Sequence, residues 1–179
     1  MKNRFHAVKR PIMLILVLII LLSLTGCAAS RNRLVEHPSF KVQYIRTNGY
    51  HSDITYPIVR VIGSADELKT YYEQNKDRYD LSPRTSPIPS DLTVGFLDAA
   101  KLYDQAWFSK KVLVLVLLEE GSGSNRHLVK DIVQGEQSTQ ILIDRIVPPI
   151  GTADMAEWHI LIELDRKEFR SQTLSVLFT

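Results

Sequence analysis

Two long apolar runs stand out along the chain, and they call for different surroundings. Near the start, Ile12 to Leu22 is continuously apolar and Pro11 to Ser30 carries no charge. In the middle, Val112-Leu113-Val114-Leu115-Val116-Leu117-Leu118 is apolar without alternation, so it needs cover on both faces. Its valine content predicts a central strand rather than a buried helix segment. Upstream, Lys41 to Arg46 alternates polar with apolar residues at period two, which predicts a strand with one wet face that starts near Phe40. Asn48-Gly49 supplies a turn after it, and Pro57 to Ile62 is a second short strand.

Helical signals follow. Ser64-Ala65-Asp66-Glu67 reads as a capping box in which Ser64 and Glu67 satisfy orphan amides reciprocally. The helix places Leu68, Tyr71, Tyr72 and Asn75 at helical spacing and fades by Tyr79. Pro83, Pro87 and Pro89 mark a surface loop from Leu81 to Asp91. A second helix is predicted from Thr93 to Tyr103, with Phe96, Leu97, Ala100 and Tyr103 on its apolar side. Beyond the central strand, His127 to Val133, Thr139 to Val147, Glu157 to Asp165 and Thr173 to Phe178 read as further strands, and their short connections imply antiparallel neighbours. In the Glu157 to Asp165 strand, Trp158, Ile160, Ile162 and Leu164 share the face expected to be buried, with His159, Leu161, Glu163 and Asp165 opposite. The order predicts an α+β domain built on an antiparallel, sandwich-like sheet of about six strands, with two helices between the N-terminal strands and the central strand.

The N-terminal run has the parts of a bacterial lipoprotein signal. Lys2, Arg4, Lys9 and Arg10 precede the apolar core, and Leu24-Thr25-Gly26-Cys27 follows it. This predicts cleavage before Cys27 and lipid attachment to its thiol, so that acyl chains hold the protein at the extracytoplasmic face of a cell membrane. An uncleaved transmembrane anchor is the alternative, because the uncharged stretch is just long enough to cross a bilayer. Residues 1–26 are then the signal peptide, 27–39 a lipidated tether and 40–179 a single domain. Losing four basic and no acidic side chains takes the formal net charge from +2 to −2, which argues against a nucleic-acid partner. Cys27 is the only cysteine, so an intrachain disulfide is excluded and the domain stands on its core.

Candidate chemistry is sparse. Gly121-Ser122-Gly123-Ser124-Asn125 lacks the Lys-Ser or Lys-Thr ending of a phosphate loop and the glycine spacing of a nucleophile elbow, and reads as a hairpin turn. His51, His127 and His159, with Asp53, Asp131 or Asp154, contain the side chains for a zinc site or a serine-based relay, but no metal-ligand spacing joins them. No catalytic, metal or cofactor residue is assigned on this basis. Trp107-Phe108 is expected to close the end of the core.

Tyr103-Asp104, then Trp107-Phe108-Ser109-Lys110-Lys111, the Val112 to Leu118 strand and Gly121-Ser122-Gly123-Ser124 recur in the order found in the C-terminal domain family named for PrcB. The chain resembles that family from about Phe96 to Leu164. The resemblance implies an exported protein related to a small subunit that stabilises a surface protease complex, and it implies no cutting activity. The expected function is therefore a membrane-anchored, non-enzymatic interaction or stability factor for an envelope protein, docking through a sheet edge or the Pro83 to Asp91 loop. The alternative is a small envelope hydrolase or ligand binder that uses His51, His127 or His159.

Overall fold

The computed structural model describes residues 36–47, 51–82, 94–170 and 172–179, all within the unit Val35–Thr179. The lipoprotein signal, Cys27, the Asn48-Gly49 dipeptide and the Pro83 to Asp91 loop lie outside the described residues. Among those described, no helix is long and apolar enough to cross a membrane.

The described chain forms seven strands and three helices. β1 (Phe40–Thr47) and β2 (Ile58–Ile62) come first, followed by α1 (Ala65–Asn75), α2 (Phe96–Ala100) and α3 (Gln105–Phe108). β3 (Lys111–Glu120), β4 (Arg126–Gln134), β5 (Ser138–Ile146), β6 (Ala156–Asp165) and β7 (Thr173–Phe178) complete it. The α+β class with mostly antiparallel pairing agrees with the sequence reading. The strands divide into a sheet of order β1-β6-β3-β2 and a second of order β4-β5-β7.

Val112 to Leu118 are all buried, as an unalternating run requires. Leu113, Leu115 and Leu117 face the helices together with Leu161 and Ile45. Val112, Val114, Val116 and Leu118 face the second sheet and meet Ile132, Ile141, Ile143 and Trp158 there. The first sheet is thus the middle layer of three, which corrects the one-sided burial expected of the Glu157 to Asp165 strand. β6 lies between β1 and β3, and both its faces are covered, Trp158 toward one layer and His159 toward the other.

Connections depart from the sequence reading most. The Gly121 to Asn125 turn is not a hairpin: β3 pairs with β2 and β6, whereas β4 pairs with β5 in the other sheet. A short loop here carries the chain between layers instead of folding it back, so antiparallel adjacency does not follow from loop length. β7 runs parallel to β5, reached by a crossover from the first sheet. β3 runs two residues past the apolar stretch, through Glu119 and Glu120.

Local signals were sounder. Ser64 accepts the Glu67 N–H at 3.1 Å, while the Glu67 carboxylate reaches one residue past the cap to the N–H of Gly63 at 2.6 Å. The second helix is shorter than Thr93 to Tyr103 because the chain turns at Lys101 and restarts where Asp104 caps α3 by accepting the Trp107 N–H at 2.7 Å. Phe108 is buried and Trp107 packs against the same cluster, edge-on to Tyr103, so this corner does close the core. The buried Tyr103 hydroxyl bonds to Gln43 and donates to Glu163.

The sheet edges are partly engaged. The β4 edge gives the Val129 N–H to the Tyr44 hydroxyl of β1 at 2.8 Å, next to a bulge between Val129 and Asp131. Glu36 bridges Gln134 at the far end of β4, so residues counted with the tether on composition are hydrogen-bonded to the second sheet. Leu115→Asp, which places an unpaired carboxylate between the helices and the first sheet, is expected to abolish cooperative thermal unfolding, since burying that charge costs several kcal/mol. A sharp transition at the parental temperature would contradict this packing.

Candidate functional site

β6 opens with Ala156-Glu157-Trp158-His159, and because side chains alternate across a strand, Glu157 and His159 share the face beneath α1. Both are fully buried. Polar groups at such depth require partners, and the neighbouring elements supply them. The Tyr71 hydroxyl of α1 lies 2.9 Å from His159 Nε2, and the Thr47 hydroxyl of β1 lies 3.1 Å from Nδ1. Thr47 in turn donates to the Glu157 carbonyl at 3.4 Å. One direction of donation satisfies the whole chain: Tyr71 O–H to Nε2, Nδ1–H to Thr47, and Thr47 O–H to the carbonyl. It requires a neutral imidazole. Burial enforces this by lowering the His159 pKa to about 3. Tyr71, Tyr79 and Phe96 set their rings at steep angles to the imidazole and complete its enclosure.

Glu157 gathers the loop before β2. His51 Nδ1 is 2.7 Å from its Oε1, and the Tyr56 hydroxyl donates to the same oxygen. Burial and this carboxylate push the Tyr56 hydroxyl well above its ordinary range. The His51 side chain keeps 21% exposure, whereas that of Glu157 has none, and Glu157 Oε2 is buried without a hydrogen-bond partner. Tyr79 touches both imidazoles, so His51 and His159 belong to one cluster.

His127 belongs to another, on the far face of the first sheet. Its Nε2 lies 2.8 Å from Glu120 Oε1, and its ring meets Trp158 edge-on. Arg145 of β5 grips the same carboxylate in bidentate fashion, with Nε 2.8 Å from Oε1 and a terminal nitrogen 2.6 Å from Oε2, while Asn125 donates to Oε2 at 2.7 Å. Burial alone would raise the Glu120 pKa, yet the bonds from Arg145, Asn125 and His127 outweigh it and hold the carboxyl below its usual range. For His127, burial outweighs Glu120 and the pKa falls. This network ties the ends of β3, β4 and β5 together where the chain crosses between sheets.

None of the aspartates grouped with the histidines in the sequence reading pairs with them. Asp53 pairs with Arg78, Asp154 with Arg46, and Asp131 with His37. The carboxylates that matter are Glu157 and Glu120, and sequence reasoning passed over both. The available signal was Glu157-x-His159, two polar residues at strand spacing on either side of Trp158 and directly ahead of the apolar Ile160-Leu161-Ile162 run. Among the described residues no group of three or more His, Cys, Asp or Glu side chains is placed to hold a metal ion. No family model matches the chain, and no curated protein or solved structure matches it.

The buried histidines make stability depend on pH. Between the ordinary histidine pKa of about 6.5 and the folded value, the unfolded chain takes up a proton that folded His159 refuses. Stability therefore falls as pH falls through that window, by up to about 1.4 kcal/mol per pH unit for this group. His127, also lowered, acts in the same direction. His159→Gln is expected to flatten the decline between pH 6.5 and 5, as read by urea unfolding at each pH. An unchanged slope would remove His159 as the source. Glu120→Ala is expected to lower the melting temperature more than Asp154→Ala, because it leaves the buried His127 and Asn125 side chains without their carboxylate partner, whereas Asp154 pairs with Arg46 at the surface. Equal shifts in thermal melts would contradict this ranking.

Proposed function

We propose that this chain is a lipid-anchored envelope protein whose domain serves as a non-enzymatic interaction or stability factor for another exported protein, in the manner the PrcB resemblance implies. The anchor rests on the Leu24-Thr25-Gly26-Cys27 sequence and its basic, apolar prelude. The observation that carries the non-enzymatic reading is the use made of the histidines. His159 is enclosed and hydrogen-bonded through both ring nitrogens, and His127 is held to a carboxylate already bound by Arg145, so both act as internal posts that join layers. The motif residues behind the resemblance also have structural roles: Asp104 caps a helix, Phe108 seals the core and Ser122 clamps two loops.

A second reading, a ligand binder or small hydrolase, is favoured by one feature. His51 keeps contact with solvent while a buried carboxylate orients its ring, the arrangement that steers a metal-binding or proton-transferring imidazole.

Two measurements test these readings. Cys27→Ala is expected to leave the precursor uncleaved and without incorporated lipid label, and labelling that persists in this variant would falsify the anchor. The partly exposed His51 is expected to be dispensable, so His51→Gln should rescue a deletion strain as well as the parent does. Loss of rescue by a variant that still folds and is still exported would favour the second reading.

A further inference from the structure

β7 is the outer strand of the second sheet, and among the described residues no strand or bridge lies on its far side. The other three sheet edges carry guards against pairing with a further chain. β1 has Lys41 and Arg46, and β2 has Arg60 with Pro57 just ahead of it. β4 has Lys130, a bulge, and bonds to Tyr44 and Glu36. β7 has none of these. It reads Thr-Leu-Ser-Val-Leu-Phe, without charge, proline or bulge, and its Leu177 and Phe178 are 49% and 48% exposed.

One bond fixes which way its backbone groups point. The Thr179 N–H donates to the Ile143 carbonyl of β5 at 3.1 Å, and main-chain groups alternate sides along a strand. Thr173, Ser175 and Leu177 therefore turn their N–H and C=O groups toward β5, whereas Leu174, Val176 and Phe178 turn theirs outward. Side chains divide between the two faces of the sheet. Leu174 and Val176 pack against the core between the sheets and Phe178 follows them by alternation, while Thr173, Ser175 and Leu177 lie on the outer face.

We infer that β7 pairs with β7 of a second copy, antiparallel about a two-fold axis at Val176, so that two three-stranded sheets become one. This register sets Val176 opposite its own counterpart and Leu174 opposite Phe178 of the second copy. Every outward N–H and C=O then falls in a hydrogen-bonded pair. Half-exposed Phe178 is covered by a leucine on the inner face, and Leu177 meets a serine on the outer face. Charge and facing select this occupant. An open edge takes a strand, because main chain supplies donors and acceptors in alternation and lipid tails supply neither. The strand that fits is uncharged and places apolar residues on the inner face at period two. Among the described strands β7 alone is uncharged. Parallel pairing about a two-fold would turn the inner face of one copy outward, whereas the antiparallel pair keeps both inner faces together and closes at two copies. This contact joins copies of one chain and goes beyond the interaction reading above, which stands or falls separately.

A single strand pair is small for an interface, so the test traps it in place. In the proposed register Ser175 and Leu177 of the second copy form a non-hydrogen-bonded pair with Cα atoms about 4.5 Å apart, within reach of a disulfide. Two Ser175 residues, or two Leu177 residues, lie diagonally at about 7 to 8 Å, beyond that reach. Differently tagged full-length chains, one Ser175→Cys and the other Leu177→Cys, are expressed together and the cells are treated with a mild, membrane-permeant oxidant. The expected product is a disulfide-linked dimer carrying both tags, about tenfold or more above either variant alone and above the parent, whose sole thiol is Cys27. Phe178→Pro added to both chains deletes an N–H that faces away from β5. It should cut the yield about tenfold or more with little change in melting temperature, since proline is tolerated on the open side of an edge strand. The comparison of pairs uses exposed positions and does not depend on how the proline variant folds. Dimer from Ser175→Cys alone and none from the mixed pair would overturn the axis at Val176. No dimer in any combination, or disulfides only to a different protein, would overturn the pairing of two copies.

Discussion

A strand with no wet face must satisfy each of its polar side chains inside the protein, and β6 is such a strand. It runs between β1 and β3 with helices on one side and the second sheet on the other. Glu157 and His159 could not remain there unpaired, because a buried polar group without a partner costs more than an ordinary hydrogen bond gains. The placement of α1 through Tyr71, of β1 through Thr47 and of the loop before β2 through His51 and Tyr56 answers that demand. The helical layer is thus fastened to the sheet by directional bonds at one end and by Leu113, Leu115, Phe96 and Phe108 elsewhere.

The other face repeats the solution with charge. Glu120, at the end of β3, is surrounded by Arg145, His127 and Asn125, which come from the second sheet and the crossover that leads to it. The pair is buried on the glutamate side and half-open on the arginine side, with the Arg145 side chain 49% exposed. Solvation of the guanidinium is therefore partly retained, which reduces the desolvation cost of an ion pair at this depth. The same network fixes Arg145, at the root of the β5–β6 connection.

Much of the element pattern was legible along the chain. The Val112 to Leu118 run needed two covered faces and has them, the Ser64 cap started a helix, and the alternation from Lys41 to Arg46 was a strand, because each of these depends on neighbours within a few residues. The histidine sites were not legible in the same way. His51 and Glu157 are 106 positions apart, far beyond the reach of any spacing motif. The Gly121 to Asn125 turn misled for a related reason: glycine and serine permit a tight change of direction but do not specify which sheet the next strand joins.

The sequence by itself determined the α+β class, the strand character of the Val112 to Leu118 run, the start of the helix capped by Ser64 and which end has the pattern of a sorting signal, since period, capping and apolar length act locally. Tertiary structure alone decided that β3 and β4 belong to different sheets, that β7 runs parallel to β5, and that glutamates rather than aspartates meet the histidines at the centre of each cluster. Those outcomes depend on which surfaces are covered once the layers stack. Burial turns an otherwise ordinary glutamate into a group that must find a donor, and only the packed arrangement determines which donors lie within reach.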